Sequence, residues 1–281
     1  MSVDLLLDVG GTGIKGAACP RGGHPGPQRE FPAHANADRA ALLKHFSDIL
    51  RALAGDAPLG RVAMAFPGPF DYEKGVPLMR GLAKYEALYG VCLPEALEEI
   101  DICPEKWYFI NDVSAYALGA AQCLPARHRA LTVCLGTGAG SAFLVDGRLC
   151  TDAGEGVPEN GWIYPLPYGA SIVDDYLSDR GLRRLSCGLL GEERSPRELN
   201  ADEPAFEPVW RAFGEDVAGA LTPVLTAFQP TDLVLGGKIS LAWPRFGTAL
   251  TQVCEKARVR LRVEPDTSAH VVNGLLRWIQ R

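Results

Sequence analysis

Val3-Asp4-Leu5-Leu6-Leu7-Asp8-Val9-Gly10-Gly11-Thr12-Gly13 is the stretch on which the fold of this chain turns. Val3 to Val9 is an apolar strand that ends in a glycine turn. Ile14 to Cys19 returns from it as a second strand, and the Pro/Gly-rich Pro20 to Pro27 closes that strand off. The arrangement recurs halfway along the chain. Ala130 to Leu135 is an apolar strand ending in Gly136-Thr137-Gly138-Ala139-Gly140, and Ser141 to Val145 returns into an Asp146-Gly147 turn. In each copy a Gly-Thr-Gly turn joins two strands, and the second strand opens on small residues. The repetition implies a duplicated lobe, each copy presenting one hairpin turn to a shared cleft.

Outward from these two turns, apolar spacing predicts helices over Asp38–Leu53, Leu93–Ile100, Val113–Gln122, Phe206–Phe228 (running through Pro223), Leu241–Glu255 and Ala269–Gln280. Strands are expected at Arg61–Phe66, Trp107–Ile110, Asp232–Leu235 and Arg258–Val263. Strands alternating with helices give an α/β protein with mixed sheets. At 281 residues the chain is long enough for two lobes.

Composition narrows the function. With 47% hydrophobic and 22% charged residues the chain is that of an ordinary globular protein, and no run is long enough for a membrane span. Asp4 and Asp8 interrupt the early apolar stretch, so no signal peptide is expected, and the location expected is the cytoplasm. A net charge of -6 argues against nucleic acid or an acidic membrane as partner. The eight cysteines are scattered without a C-x-x-C pair, which points to reduced thiols and gives a structural zinc no local ligand cluster.

Glycines at a strand-to-strand turn let backbone N–H groups converge on an anion, and a threonine hydroxyl adds a donor. Two matching turns, with Gly236-Gly237 after a third apolar strand, point to phosphate and nucleotide binding. Gly11 to Gly16 also satisfies G-x-G-x-x-G, but that fingerprint requires a helix after the glycines, and here a short strand follows. There is no G-x-x-x-x-G-K-[ST] sequence. Asp112 falls where a buried strand meets a helix. It can serve there as a general base or as a helix cap.

Taken in order, these motifs resemble the ROK family of sugar kinases, within the actin-like ATPase superfamily. Asp8-Val9-Gly10-Gly11-Thr12 resembles the first phosphate motif, and Ala65 to Asp71, with Pro67-Gly68-Pro69, the sugar-side loop. Asn111-Asp112 resembles the catalytic pair, Leu135 to Gly138 the second phosphate motif, and Leu235-Gly236-Gly237 the adenosine motif. The resemblance departs at Glu159-Asn160-Gly161-Trp162, where the family often has Glu-x-Gly-His followed by zinc-binding cysteines. Histidine and cysteines are missing together here, so no structural zinc is expected. An asparagine usual after the sugar loop is replaced by Gly81-Leu82. The DNA-binding extension of the family's repressors is also expected to be absent, since the first strand starts at Val3.

The resemblance implies two actin-like ATPase (ribonuclease H-like) lobes with mixed sheets around a central cleft. Residues 1–112 form the first lobe and 113–267 the second, and 268–281 form a C-terminal helix packing back on the first. It implies ATP-dependent phosphorylation of a hexose, with Asp112 as base and Gly68, Asn111, Asp112 and Glu159 on the sugar. Gly10, Gly11, Thr12, Gly136, Thr137, Gly138, Gly236 and Gly237 would hold the nucleotide, and Asp8 would orient Mg²⁺ through water. Lys15 is either a charge on the phosphates or an outward strand lysine. Glu159 is either a sugar ligand or a solvated loop residue, and Trp162 either a stacking face or a core residue. A glucokinase-like enzyme, an N-acetylhexosamine kinase, a polyphosphate glucokinase and a non-catalytic sugar-binding regulator all remain open. Small-molecule sugar and nucleotide are the expected partners, in a homodimer.

Overall fold

The computed structural model describes residues 2–81, 84–201, 203–264 and 267–281, so Leu82 of the Gly81-Leu82 replacement lies outside the described residues. The chain divides into two compact units, Met1–Gly119 with Ser268–Arg281, and Ala120–Thr267. The first therefore extends past residue 112, where the sequence placed the boundary.

In the first unit, β1 (Val3–Val9) and β2 (Gly13–Pro20) form the expected hairpin, and a short edge strand, β3 (Arg29–Pro32), extends it. Helix α1 (Arg39–Ala54) leads into β4 (Leu59–Phe66), which pairs parallel to β1, and β5 (Lys106–Asn111) pairs parallel to β4. The order is β3-β2-β1-β4-β5, a mixed sheet. Alternation sends Leu5, Leu7 and Val9 to the face that buries Leu42, Phe46, Ile49 and Leu50 of α1. Asp38 caps α1, accepting a hydrogen bond from Ala41 N–H at 2.8 Å.

Helix α2 (Asp112–Ala120) follows β5 without a loop. It is held by the C-terminal helix, Ser268–Ile279, which also packs on β1 and β4. The two helices approach through glycines: a Cβ at Gly119 would lie 1.8 Å from the His270 carbonyl oxygen, and one at Gly274 the same distance from that of Ala115. Only glycine permits such backbone contact. Arg61 fixes the far end of the C-terminal helix. It pairs with the buried Asp4 at 2.5 Å and donates to the Ile279 carbonyl at 2.7 Å.

The second unit repeats the topology. β6 (Arg129–Leu135), β7 (Ala139–Val145) and β8 (Arg148–Cys150) run antiparallel in sequence, and β9 (Asp232–Gly236) and β10 (Arg260–Glu264) add on in parallel. The order, β8-β7-β6-β9-β10, matches that of the first sheet. Helices α3 (Asp179–Leu190), α4 (Glu207–Phe228) and α5 (Thr248–Ala257) pack together, and α4 runs through Pro223 while burying Trp210, Phe213, Leu221 and Phe228. The helix expected over Leu241–Glu255 is broken at Gly247, with a separate turn of helix at Trp243–Phe246 before it. Strand β10 starts later than expected, because Arg258 takes a left-handed conformation that caps α5. Each unit is thus a mixed α/β unit built on one five-stranded sheet.

Candidate functional site

Asp8 is the penultimate residue of β1, paired across the ladder with Lys15. Burial, and then the charge of Asp112, push the Asp8 carboxyl up to about 7, while the Lys15 charge opposes them. Beyond Asp8 the turn is closed by a Gly10 N–H bond to the Gly13 carbonyl at 3.0 Å. Gly11 and Thr12 are exposed. The turn is clamped from below by Tyr85, a fully buried residue whose hydroxyl donates to the Gly10 carbonyl at 2.8 Å. Burial and the Asp8 charge raise the Tyr85 phenol, so it stays protonated as that donor.

Asn111 and Asp112 lie at the neighbouring strand end, and the structure divides their tasks. Asn111 Oδ1 accepts from Val113 N–H at 3.0 Å and Ser114 N–H at 3.1 Å, which is the capping contact. Its amide donates to Asp112 Oδ1 at 3.0 Å and to the Tyr72 hydroxyl at 3.3 Å. Asp112 is the first helical residue, and Val113 N–H donates to its Oδ1 at 2.9 Å. Burial pushes the Asp112 carboxyl upward, opposed by that hydrogen bond, by the charge of Lys84 and by the Asn111 amide. Tyr72 joins this corner to the loop carrying Gly68: its hydroxyl also donates to the Phe66 carbonyl at 3.0 Å, and the Phe70 ring packs, tilted, against those of Phe66 and Phe109 with centroids 4.7 and 5.4 Å away. Asp8, Gly10, Gly11, Thr12, Gly68, Asn111 and Asp112 therefore all belong to the first unit.

In the second unit Thr137 and Gly138 are exposed, and the turn is closed by Gly136 N–H to the Gly138 carbonyl at 3.1 Å. It is buttressed from both sides. Ala139 N–H donates to Asp174 Oδ1 at 2.6 Å, and Asp179 N–H donates to the Gly136 carbonyl at 2.9 Å. Asp174 is itself paired with Arg180. Gly237 meets this turn through backbone packing, since a Cβ there would lie 2.3 Å from the Leu135 carbonyl oxygen, and Gly236 is buried in β9. Glu159 is exposed on a short 3₁₀ turn. Trp162 is half-buried rather than in the core, its ring 5.7 Å from that of the exposed Tyr164.

Three residues here escaped the sequence reading. Tyr85 and Lys84 follow an irregular stretch without periodicity, and a methyl added at Gly11 would lie 3.5 Å from Lys84 Cδ. Asp174 lies outside every motif quoted from the sequence. Lys15 is neither outward nor free, because its ammonium donates to Ser268 Oγ at 2.6 Å.

Comparison with known proteins identifies the family. The ROK family model matches residues 5–269. N-acetyl-D-glucosamine kinase of Haemophilus influenzae is 32% identical over a 155-residue match that covers 46% of this chain and 51% of that protein, so the match spans about half of that relative's length. Among solved structures, ROK hexokinase from Thermus thermophilus superposes with a TM-score of 0.77 at 20% identity, covering 99% of this chain and 98% of its own. The ROK family glucokinase from Streptomyces griseus, in complex with glucose and AMPPNP, gives 0.71 at 15% identity with both chains fully covered. Those two likenesses carry the fold, and the family model, running from β1 to the start of the C-terminal helix, carries the kinship: the chain belongs to the ROK family.

Proposed function

We propose that this protein is a sugar kinase that transfers the terminal phosphoryl group of a nucleoside triphosphate to a hexose or amino-hexose hydroxyl, with Asp112 as general base. The observation that carries the reading is the division of tasks at the end of β5. Asn111 accepts from both Val113 and Ser114 N–H, so the cap does not depend on the Asp112 carboxylate, which shares only the Val113 N–H, and burial raises the carboxylate's affinity for a proton. A sugar hydroxyl is a weak nucleophile whose proton must leave during attack, and a carboxylate of raised pKa is matched to accept it. Asn111 and Gly68, joined through Tyr72, hold the sugar in this reading, with Glu159 contributing to its hydroxyls.

Asp8 is a hard oxygen donor whose ionised form is made costly by burial and by the neighbouring Asp112 charge, a setting that suits a magnesium ion. Asp8 would hold that ion through water, and the ion supplies charge neutralisation to the donor's phosphate oxygens. Gly10, Gly11 and Thr12 offer backbone and hydroxyl donors to phosphate in the first unit. Gly136, Thr137 and Gly138 do so in the second, where Gly236 and Gly237 leave backbone for the nucleoside.

The Haemophilus relative makes N-acetylglucosamine the first acceptor to test beside glucose and mannose. A coupled assay over hexoses and N-acetylhexosamines, with ATP and with inorganic polyphosphate, should find one sugar turned over with a donor. Binding of a sugar with no transfer from either donor would identify a regulator instead.

A further inference from the structure

Phosphoryl transfer needs a positive charge beside the migrating group. Two lysines stand near the first glycine turn. Lys15 is committed, its ammonium 2.6 Å from Ser268 Oγ and its charge facing Asp8 across the ladder. Lys84 differs. Its stem lies over the turn, with Cδ 3.5 Å from where a Gly11 side chain would begin. The residue after it is anchored at two points, Tyr85 N–H on the Ala35 carbonyl at 2.7 Å and Tyr85 hydroxyl on the Gly10 carbonyl at 2.8 Å. The half-buried Lys84 is thus held in place by a buried neighbour, while its ammonium has no hydrogen-bond or ion-pair partner among the described residues. Its charge also reaches Asp112.

We infer that Lys84 is the cation that neutralises the transferred phosphoryl group, standing between the first glycine turn and the acceptor. The inference rests on the kinase reading above and assigns it a catalytic residue. In the step, the sugar oxygen forms a bond to the terminal phosphorus and its proton passes to Asp112. The bond from that phosphorus to the bridging oxygen breaks, with the electron pair leaving on the shortened donor. Lys84 gives and takes no proton. It carries charge for the non-bridging oxygens.

Lys84→Met should lower kcat about 100-fold or more, the scale on which an enzyme loses a charge-stabilising donor, while the sugar's Kd stays near that of wild type. Lys84→Arg should recover most of the loss, and ethylammonium should restore turnover to Lys84→Ala, which a structural role would not allow. A Met variant with kcat within threefold of wild type overturns the inference. So does a loss that neither Arg nor the free amine relieves. Calorimetric titration with magnesium-free inorganic tripolyphosphate separates the two claims. If wild type turns over no sugar yet binds tripolyphosphate at least tenfold tighter than Lys84→Met, the Lys84 contact stands and the kinase reading fails. Equal affinity of the two proteins overturns the Lys84 contact.

Discussion

In the first unit the turn after β1 runs from Gly10 to Gly13 between the paired residues Val9 and Ile14, whereas in the second the turn after β6 runs only from Gly136 to Gly138, between Leu135 and Ala139. The sequences align on Gly-Thr-Gly, but the ladders do not: counted from the last pair, Asp8 and Lys15 correspond to Cys134 and Gly140. The two hairpins share a place in sheets of identical order and differ in what they carry. The first is surrounded by Asp8, Lys15, Lys84 and Asp112 and is braced by a neutral phenol. The second has no ionisable pair on its ladder and is braced by the Asp174 carboxylate and its partner Arg180. Duplication repeated the backbone; the charges of the proposed reaction are gathered in one copy. A single carboxylate can serve as brace in the second turn because its negative charge is matched there by Arg180, whereas a third carboxylate beside Asp8 and Asp112 would not be.

The sharpest break of this asymmetry is at Asp112. Asp112→Asn keeps the hydrogen-bonding shape and leaves the Asn111 cap untouched, but an amide takes up no proton. Turnover should fall by about 10²–10⁴-fold, with sugar affinity retained. The matched control is Cys134→Ser, at the ladder position corresponding to Asp8, which should leave kcat near wild type. In wild type, the acid limb of kcat/KM should lie above the ordinary carboxylate range, because the raised Asp112 must lose its proton to act. A pH–rate profile flat down to that range would remove Asp112 from the role.

Asp8 gives the next largest effect, read as stability. A native carboxyl at about 7 against 3.8 unfolded means that the folded state holds a proton that the unfolded state has released. Stability contributed by this group therefore falls as pH rises from about 4 to about 7 and is level on either side. The shift corresponds to about 4 kcal/mol at full ionisation, which the partial exposure of Asp8 reduces to about 2–3 kcal/mol. In metal-free buffer Asp8→Asn should melt several degrees above wild type at pH 8 and at nearly the same temperature at pH 4. A gap that stayed constant across this range would mean that Asp8 is not the group titrating. The same variant should lose activity, a trade of function against stability.

Much of this was legible in the sequence because it depended on local pattern. Val3–Val9 and Asp232–Leu235 are apolar runs bounded by glycine, and α4 was readable through Pro223 because its buried residues keep helical spacing. What escaped depended on tertiary partners. β3 is a polar edge strand that pairs only because β2 lies beside it. Helix α3, rich in arginine, fully buries only small residues and Leu182, with Leu185 and Leu190 packed partly against the core. That Asn111 accepts from two of the first helical N–H groups and Asp112 from only one needed side-chain rotamers, since either residue is chemically able to cap. Lys84 carried no signal at all. It follows an irregular loop, and its relation to Gly11 is a contact across more than seventy positions.

The finest test of the comparison uses one methyl group in each turn. A Cβ at Gly10 would lie 2.8 Å from the Gly13 carbonyl oxygen, which is locked as acceptor for Gly10 N–H, so backbone must shift to admit it. Gly10→Ala should therefore cost about 1–3 kcal/mol, the usual cost of overpacking. At Gly136 a Cβ meets no atom within 4 Å, and the backbone is not left-handed. Nothing inside this unit requires glycine there. Gly136→Ala should change stability by no more than about 0.5 kcal/mol. If the open space above Gly136 is kept for phosphate, the same methyl should raise the donor's KM while leaving the sugar's unchanged. Denaturant titration and initial rates on the two variants separate these outcomes. An unaltered donor KM in Gly136→Ala would remove the second turn from the nucleotide site, leaving the proposed chemistry to the first unit alone.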